Sequence, residues 1–286
     1  MDAPTVGILR DVTLLVWLAL LIGVAAYKWI RQTRPSAGWN SGGQVDAYPF
    51  IITDGLVVAA ISVLLLGGLQ QATPVSPDAS ATPAELSASN MFLSILFQLF
   101  ICAVLLFYLR AVRNLNPLEL FGLNRLNLRR IVSSAGIFMI PTFLLVMLTS
   151  AGITQWMEGF WPNMGSQDSV EAFRNSKDPL AKGMLVIAAV IVAPIVEETM
   201  FRGFIYGVIK RFTDSWFAAL CSALLFAVVH LHVGSLVPLT VLALVFCAAY
   251  EFTGSLAVSM VMHGLFNGGS ILLMILFPDM AHADAG

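Results

Sequence analysis

GMLVIAAVIVAPIVEETMFRGFIYGVIKRF, residues 183–212, decides how the rest of the chain is read. It opens with an uncharged apolar run, meets Glu197, Glu198 and Arg202 in mid-stretch, and turns apolar again before Lys210 and Arg211. A helix needs about 20 apolar residues to cross a bilayer, and this stretch has the length. Ionisable groups at membrane depth are costly, so they tend to be paired, to face inward and to carry function.

The remainder of the chain has the same texture. It is 58% hydrophobic and 11% charged over 286 residues, where soluble domains carry about a quarter charged residues. The apolar residues come in blocks of membrane-spanning length rather than in amphipathic stripes. Eight spans are expected, at 9–29, 50–69, 91–109, 131–151, 183–209, 215–232, 236–252 and 255–277, which gives an all-α, polytopic membrane helix bundle of about eight transmembrane helices. The first is read as a retained span, because its basic residues follow the apolar run rather than precede it. Net charge is −2 and there is no basic patch interleaved with aromatics, so nucleic acid is not a partner. Cys102, Cys221 and Cys247 all lie in apolar blocks without a CxxC pair and read as buried thiols.

The linkers differ in character. Segment 70–90 is rich in Pro, Ser, Thr and Ala; 110–130 holds five arginines; 152–181 is mixed, with Trp156 and Trp161 as interfacial anchors. Placing the N-terminus outside and alternating through eight spans puts eleven of the fifteen Lys and Arg on inner segments. Only Arg10, Arg174, Lys177 and Lys182 fall outside, so the positive-inside rule favours both termini outside.

Two further spans carry chemistry-bearing residues. Phe226 and His230 lie four apart in LLFAVVHLH, and His263 and Asn267 four apart in MVMHGLFNGG. Glu197 stands as far before the turn at 211–215 as His230 stands after it, so an antiparallel hairpin brings the two to one depth, roughly 25 Å from the turn. His263 and Asn267 lie about 13 and 20 Å above the Thr253-Gly254 turn on the same geometry. Glu198 and Arg202 are spaced i, i+4 with the acid first, the favourable order for an ion pair. Glu197 points about 100° away from Glu198 and is the better candidate for a free base. His263 and Asn267 share a helix face, from which both can donate to one developing oxyanion. Taken singly, each group has a plainer use: a structural ion pair, an interhelical hydrogen-bonder, packing for Phe226, kinks for Pro141 and Pro194. His232 reads as interfacial, His282 as part of a polar tail, and Glu251 as a helix-end group within reach of water. The glycine pairs Gly203/Gly207 and Gly264/Gly268 suit close helix approach, a common pattern of little weight alone.

EExxxR, FxxxH and HxxxN, in that order on separate helices, resemble the three motifs of the CPBP family. That family contains the type II CAAX prenyl endopeptidases and bacterial bacteriocin-processing and abortive-infection (Abi) proteins. The resemblance covers about residues 183–270, within a core taken as 131–286; residues 1–130 form N-terminal transmembrane helices of unassigned role. It implies a membrane-embedded peptidase in which Glu197 and His230 activate water and His263 and Asn267 stabilise the oxyanion. Glu198, Arg202 and Phe226 support them. A divalent metal such as zinc, held by Glu197, His230 and His263, is the less favoured variant, because HExxH and a third motif histidine are missing. No cofactor is favoured.

The expected activity is therefore hydrolysis of a peptide or protein substrate near the centre or cytoplasmic half of a bacterial cytoplasmic membrane. Two other readings compete with it: a non-catalytic immunity or scaffold protein, and a proton-coupled transporter, although no internal repeat of the transporter kind is present. Oligomeric state is left open.

Overall fold

The computed structural model describes residues 27, 28, 32, 43–70, 87–158, 173, 174, 176–230 and 232–277. Most of the expected first span, most of the linker 70–90, half of the linker 152–181, Trp161 and His282 lie outside the described residues. Among those described the chain is helical without a strand, as a bilayer demands of backbone that must satisfy its own hydrogen bonds.

Eight helices follow one another. They are α1 (Ile52–Gln70), α2 (Ala88–Phe107, prolonged by a π-turn over Tyr108–Val112), the short α3 (Pro117–Leu120), α4 (Leu128–Glu158), α5 (Pro179–Phe212), α6 (Ser215–Val228), α7 (Leu236–Thr253) and α8 (Leu256–Leu276). Five are long and apolar enough to cross a membrane: α2, α4, α5, α7 and α8. One expected span is shorter than read. α1, at Ile52–Gln70, stays close to the expected 50–69, whereas α6 has 14 residues, because its helix stops at Val228 although apolar letters continue past it.

Local chemistry sets the ends. Asp178 accepts from Leu180 N and Ala181 N, with Pro179 at the first position of α5, while Asp214 accepts from Trp216 N and Phe217 N to start α6. Gly254, at φ 64°, takes the left-handed conformation that closes α7 and lets α8 begin two residues later. α5 is not uniformly α-helical: π-turns occupy Ala188–Val192 and Glu198–Tyr206, on either side of the short α segment that carries Pro194 and Glu197.

The core lies at one end of the bundle. Phe201, Phe204, Ile205 and Tyr206 of α5 pack with Leu225 and Phe226 of α6, Tyr250 of α7 and Leu256 of α8. A second cluster joins Ile131, Ala135 and Met139 of α4 to Phe246 of α7 and Met262 of α8. Gly203 and Gly207 seat Phe121 and Phe50, where an added Cβ would come within 3.0 and 2.5 Å of their rings.

That same end is built from the basic linkers. Arg113 donates to Pro49 O, Arg125 to Gln44 O, Lys210 to Val45 O and Arg211 to Phe50 O, so two cations of the 110–130 linker and two from the end of α5 grip one strap of main chain over residues 44–50. Asp54, fully buried, accepts from Arg113 Nε at 2.8 Å, Tyr108 at 2.7 Å and Ile51 N at 2.7 Å. Glu251 is engaged rather than merely within reach of water: it accepts from Lys210 and Tyr206, and its carbonyl holds Gln44 N. Tyr27, near the end of the expected first span, stacks on Phe217 at the start of α6 and so lies at this end too. The segments that charge counting assigned to one side of the membrane thus meet on one face.

Candidate active site

Glu198 and Arg202 form the fixed point of the site. Both side chains are wholly buried, and Arg202 Nη1 donates to Glu198 Oε1 at 2.9 Å. The guanidinium lies over Phe226 at 4.2 Å and Phe246 at 5.3 Å, so its remaining N–H groups meet ring faces in place of hydrogen-bond acceptors. The ion pair expected from the i, i+4 spacing is present even though the segment between the two residues is π-helical.

His263 reaches this pair from α8. Its Nδ1 stands 2.9 Å from Glu198 Oε1, and its Nε2 faces Glu197 Oε2 at 3.8 Å. A carboxylate accepts, so Nδ1–H is the donor and the ring is oriented by Glu198. Glu197 takes no part in the Arg202 pair; its Oε2 is buried without a hydrogen-bond partner, while its side chain as a whole remains 26% exposed. The gap between Nε2 and Oε2 exceeds a direct hydrogen bond and suits a bridging water.

His230 sits at the end of α6. Its Nδ1 lies 2.7 Å from Phe226 O, an acceptor, so Nδ1 donates and a neutral ring carries its lone pair on Nε2. Phe226 is the shared wall of the site: its ring centre is 4.6 Å from that of His230, 5.9 Å from that of His263 and 5.3 Å from that of Phe201. The structure therefore brings Glu197, Glu198, Arg202, Phe226 and His263 together, with His230 packed against the Phe226 ring. His232, by contrast, bonds Ser235 in the turn that follows α6.

Asn267 has a partner that its motif does not announce. Its Nδ2 donates to Ala189 O at 2.8 Å. The reason lies in α5. In the π-turn Ala193 N bonds Ala188 O, and the next residue that could reach Ala189 O is Pro194, which has no N–H. The Ala189 carbonyl is orphaned by its own helix, and the Asn267 amide satisfies it. One N–H of that amide is committed; the second remains for another acceptor. Gly264, one turn below, permits the approach: an added Cβ would stand 2.6 Å from Val190 O. The glycine pair on α8 thus matters more than its pattern alone suggests, since Gly268 also rests on Val190. The missing N–H of Pro194 was the one sequence signal that could have led to this contact.

Among the described residues no three His, Cys, Asp or Glu side chains gather to hold a metal ion. Glu198 is occupied by Arg202 and His263. The donor set Glu197, His230 and His263 does not fit a metal centre in this arrangement, and no step is routed through one.

Residues 179–269 match the family model described as Type II CAAX prenyl endopeptidase Rce1-like. Over 92 residues the chain is 29% identical to a protein of Bacillus subtilis (strain 168) named Putative membrane peptidase YdiL. That stretch covers 32% of this chain and 38% of the relative, so the match spans well under half of either. No solved structure matches. The family match falls on α5, α6, α7 and most of α8, and the resemblance drawn from the three motifs is borne out.

Proposed function

We propose that this protein is an intramembrane endopeptidase that hydrolyses a peptide bond with a water activated by Glu197. The observation that carries the reading is the placement of His263 between two adjacent carboxylates, fixed by Glu198 on one nitrogen and turned toward Glu197 with the other. Glu197 is the partly open member of the pair and lies where water can reach it. The Rce1-like match and the name of the Bacillus relative support peptidase chemistry as the class.

In the proposed reaction Glu197 takes a proton from water while the water oxygen attacks the scissile carbonyl carbon. His230 Nε2 accepts a hydrogen bond from the same water and orients it. The carbonyl oxygen gains negative charge and is met by the second N–H of Asn267 and by His263 Nε2. Because Nδ1–H of His263 is given to Glu198, donation from Nε2 requires the imidazolium form. Collapse of the tetrahedral species breaks the C–N bond, and Glu197 returns its proton to the departing amine. Glu198 and Arg202 touch no reacting atom; they position His263.

The reading is tested with purified protein in detergent or liposomes against a pooled peptide library. Wild type, Glu197→Ala and His263→Ala are each assayed with and without a chelator. Cleavage lost in both variants and retained under chelation supports glutamate catalysis without metal. Loss under chelation with recovery on adding zinc replaces this mechanism with a metal one. A folded wild type that cleaves nothing moves the reading to a partner-binding protein.

A further inference from the structure

Burial along three helices changes at one level. In α5, Pro194, Val196, Glu198, Thr199 and every residue from Phe201 to Val208 are buried, whereas Ala188 to Val190, Val192 and Ala193 are half-open and Ile187, Ile191 and Ile195 are exposed. In α8, Met262, His263 and Gly264 are buried, Leu265 is exposed, and Phe266 to Ser270 are half-open. α6 ends at Val228, at this same level, and His230 beyond it is half-open. α5 has 34 residues against the 14 of α6, about 51 Å against about 21 Å, so it runs on well past its neighbour.

Below that level the path is closed. Phe201, Phe204, Tyr206, Phe226, Phe246 and Tyr250 are each no more than 1% exposed and fill the bundle between the site and the basic strap. Glu197, 26% exposed, lies on the boundary between the buried and the half-open lengths of α5. We infer that the site is entered by water and peptide from the end of the bundle opposite the basic strap. By the positive-inside rule the strap end is cytoplasmic, so the substrate is a polypeptide segment presented at the extracytoplasmic side, such as the exposed stretch of a translocated or membrane-anchored protein. Counted from the Asp214 cap, the end of α6 stands about 21 Å up, while His263 stands about 13 Å above the Thr253-Gly254 turn, and the two heights bracket the middle of a hydrocarbon layer of about 30 Å.

The substrate class rests on the peptidase reading, but the direction of access does not, and its test needs no activity. Glu197→Cys and His230→Cys report the site, exposed Lys177→Cys the far end and exposed Glu119→Cys the strap end. Each is treated with a charged, membrane-impermeant methanethiosulfonate in intact spheroplasts and again after permeabilisation. The unsubstituted protein, whose three cysteines are buried, is the blank. The expected result is labelling of both site thiols in intact spheroplasts together with Lys177→Cys, and labelling of Glu119→Cys only after permeabilisation. Site thiols that label with Glu119→Cys, or with neither control, overturn the inference. Site thiols that follow Lys177→Cys when that control itself needs permeabilisation overturn the extracytoplasmic assignment. A failed peptidase screen alongside the expected labelling overturns the proposed function alone.

Discussion

His263 Nδ1 lies 2.9 Å from Glu198 Oε1, so the ring that faces Glu197 is held in place by the carboxylate next to it in sequence. Adjacent residues on a helix point about 100° apart, and here that angle separates a positioning acid from an open one. Glu197→Gln is expected to lower kcat by about 10²–10⁴-fold, the usual worth of a general base, with the melting temperature little changed. Steady-state kinetics beside a thermal melt checks it; retained turnover excludes Glu197 as base.

Glu198 and Arg202 should behave otherwise. Removing one partner of a wholly buried pair leaves an uncompensated charge, which costs about 3–5 kcal/mol. Arg202→Ala and Glu198→Ala are therefore expected to lower stability by amounts of that order. The double substitution should cost less than the two single losses added together. A double-mutant cycle read by unfolding in detergent gives the coupling, and additive losses would show that the pair is not coupled.

Asn267 has two tasks that can be pulled apart. Asn267→Ala is expected to lose about 1–3 kcal/mol of stability by orphaning Ala189 O, and to lose turnover as well. Pro194→Ala restores an N–H within reach of that carbonyl, so adding it should recover stability without recovering turnover. If stability and activity return together, the role of Asn267 is structural only.

Gly264→Ala tests the seat of α8 on α5. The new methyl would stand 2.6 Å from the Val190 carbonyl, which is backbone and cannot swing aside. We expect α8 to be pushed back, carrying His263 and Asn267 with it, and turnover to fall more than the melting temperature implies. Gly268→Ala, whose added Cβ would stand 3.7 Å from the flexible ends of Val190, serves as the milder control.

Much of this was written in the residues themselves. The Glu198–Arg202 pair followed from i, i+4 spacing, and counting rises from two turns put Glu197, His230, His263 and Asn267 in one slab of membrane, while the hold of Glu198 on His263 came only from the structure. The end of α6 did not follow, because Val229, Leu231 and Val233 keep the letters apolar after the helix has stopped. The π-turns of α5 leave no periodic trace either; Pro194 marks them only once the Ala189 carbonyl is seen to lack a donor. The strap escaped for a different reason. Its acceptors are main-chain carbonyls, which every residue has, so only the donors were visible, and those were counted as charges for topology.

The strap has a consequence for how this region can change over generations. Arg113, Arg125, Lys210 and Arg211 each hold a main-chain oxygen. The outward-facing Gln44 side chain is therefore free to drift without loosening any of these grips, whereas Asp46, which accepts from Tyr48 N, and Tyr48, whose ring lies under Arg211, are tied in by their side chains. Loss or gain of a single residue between 44 and 50 would instead shift the oxygens out of step with their fixed donors. Tolerance of spelling and intolerance of length should mark this stretch among the protein's descendants.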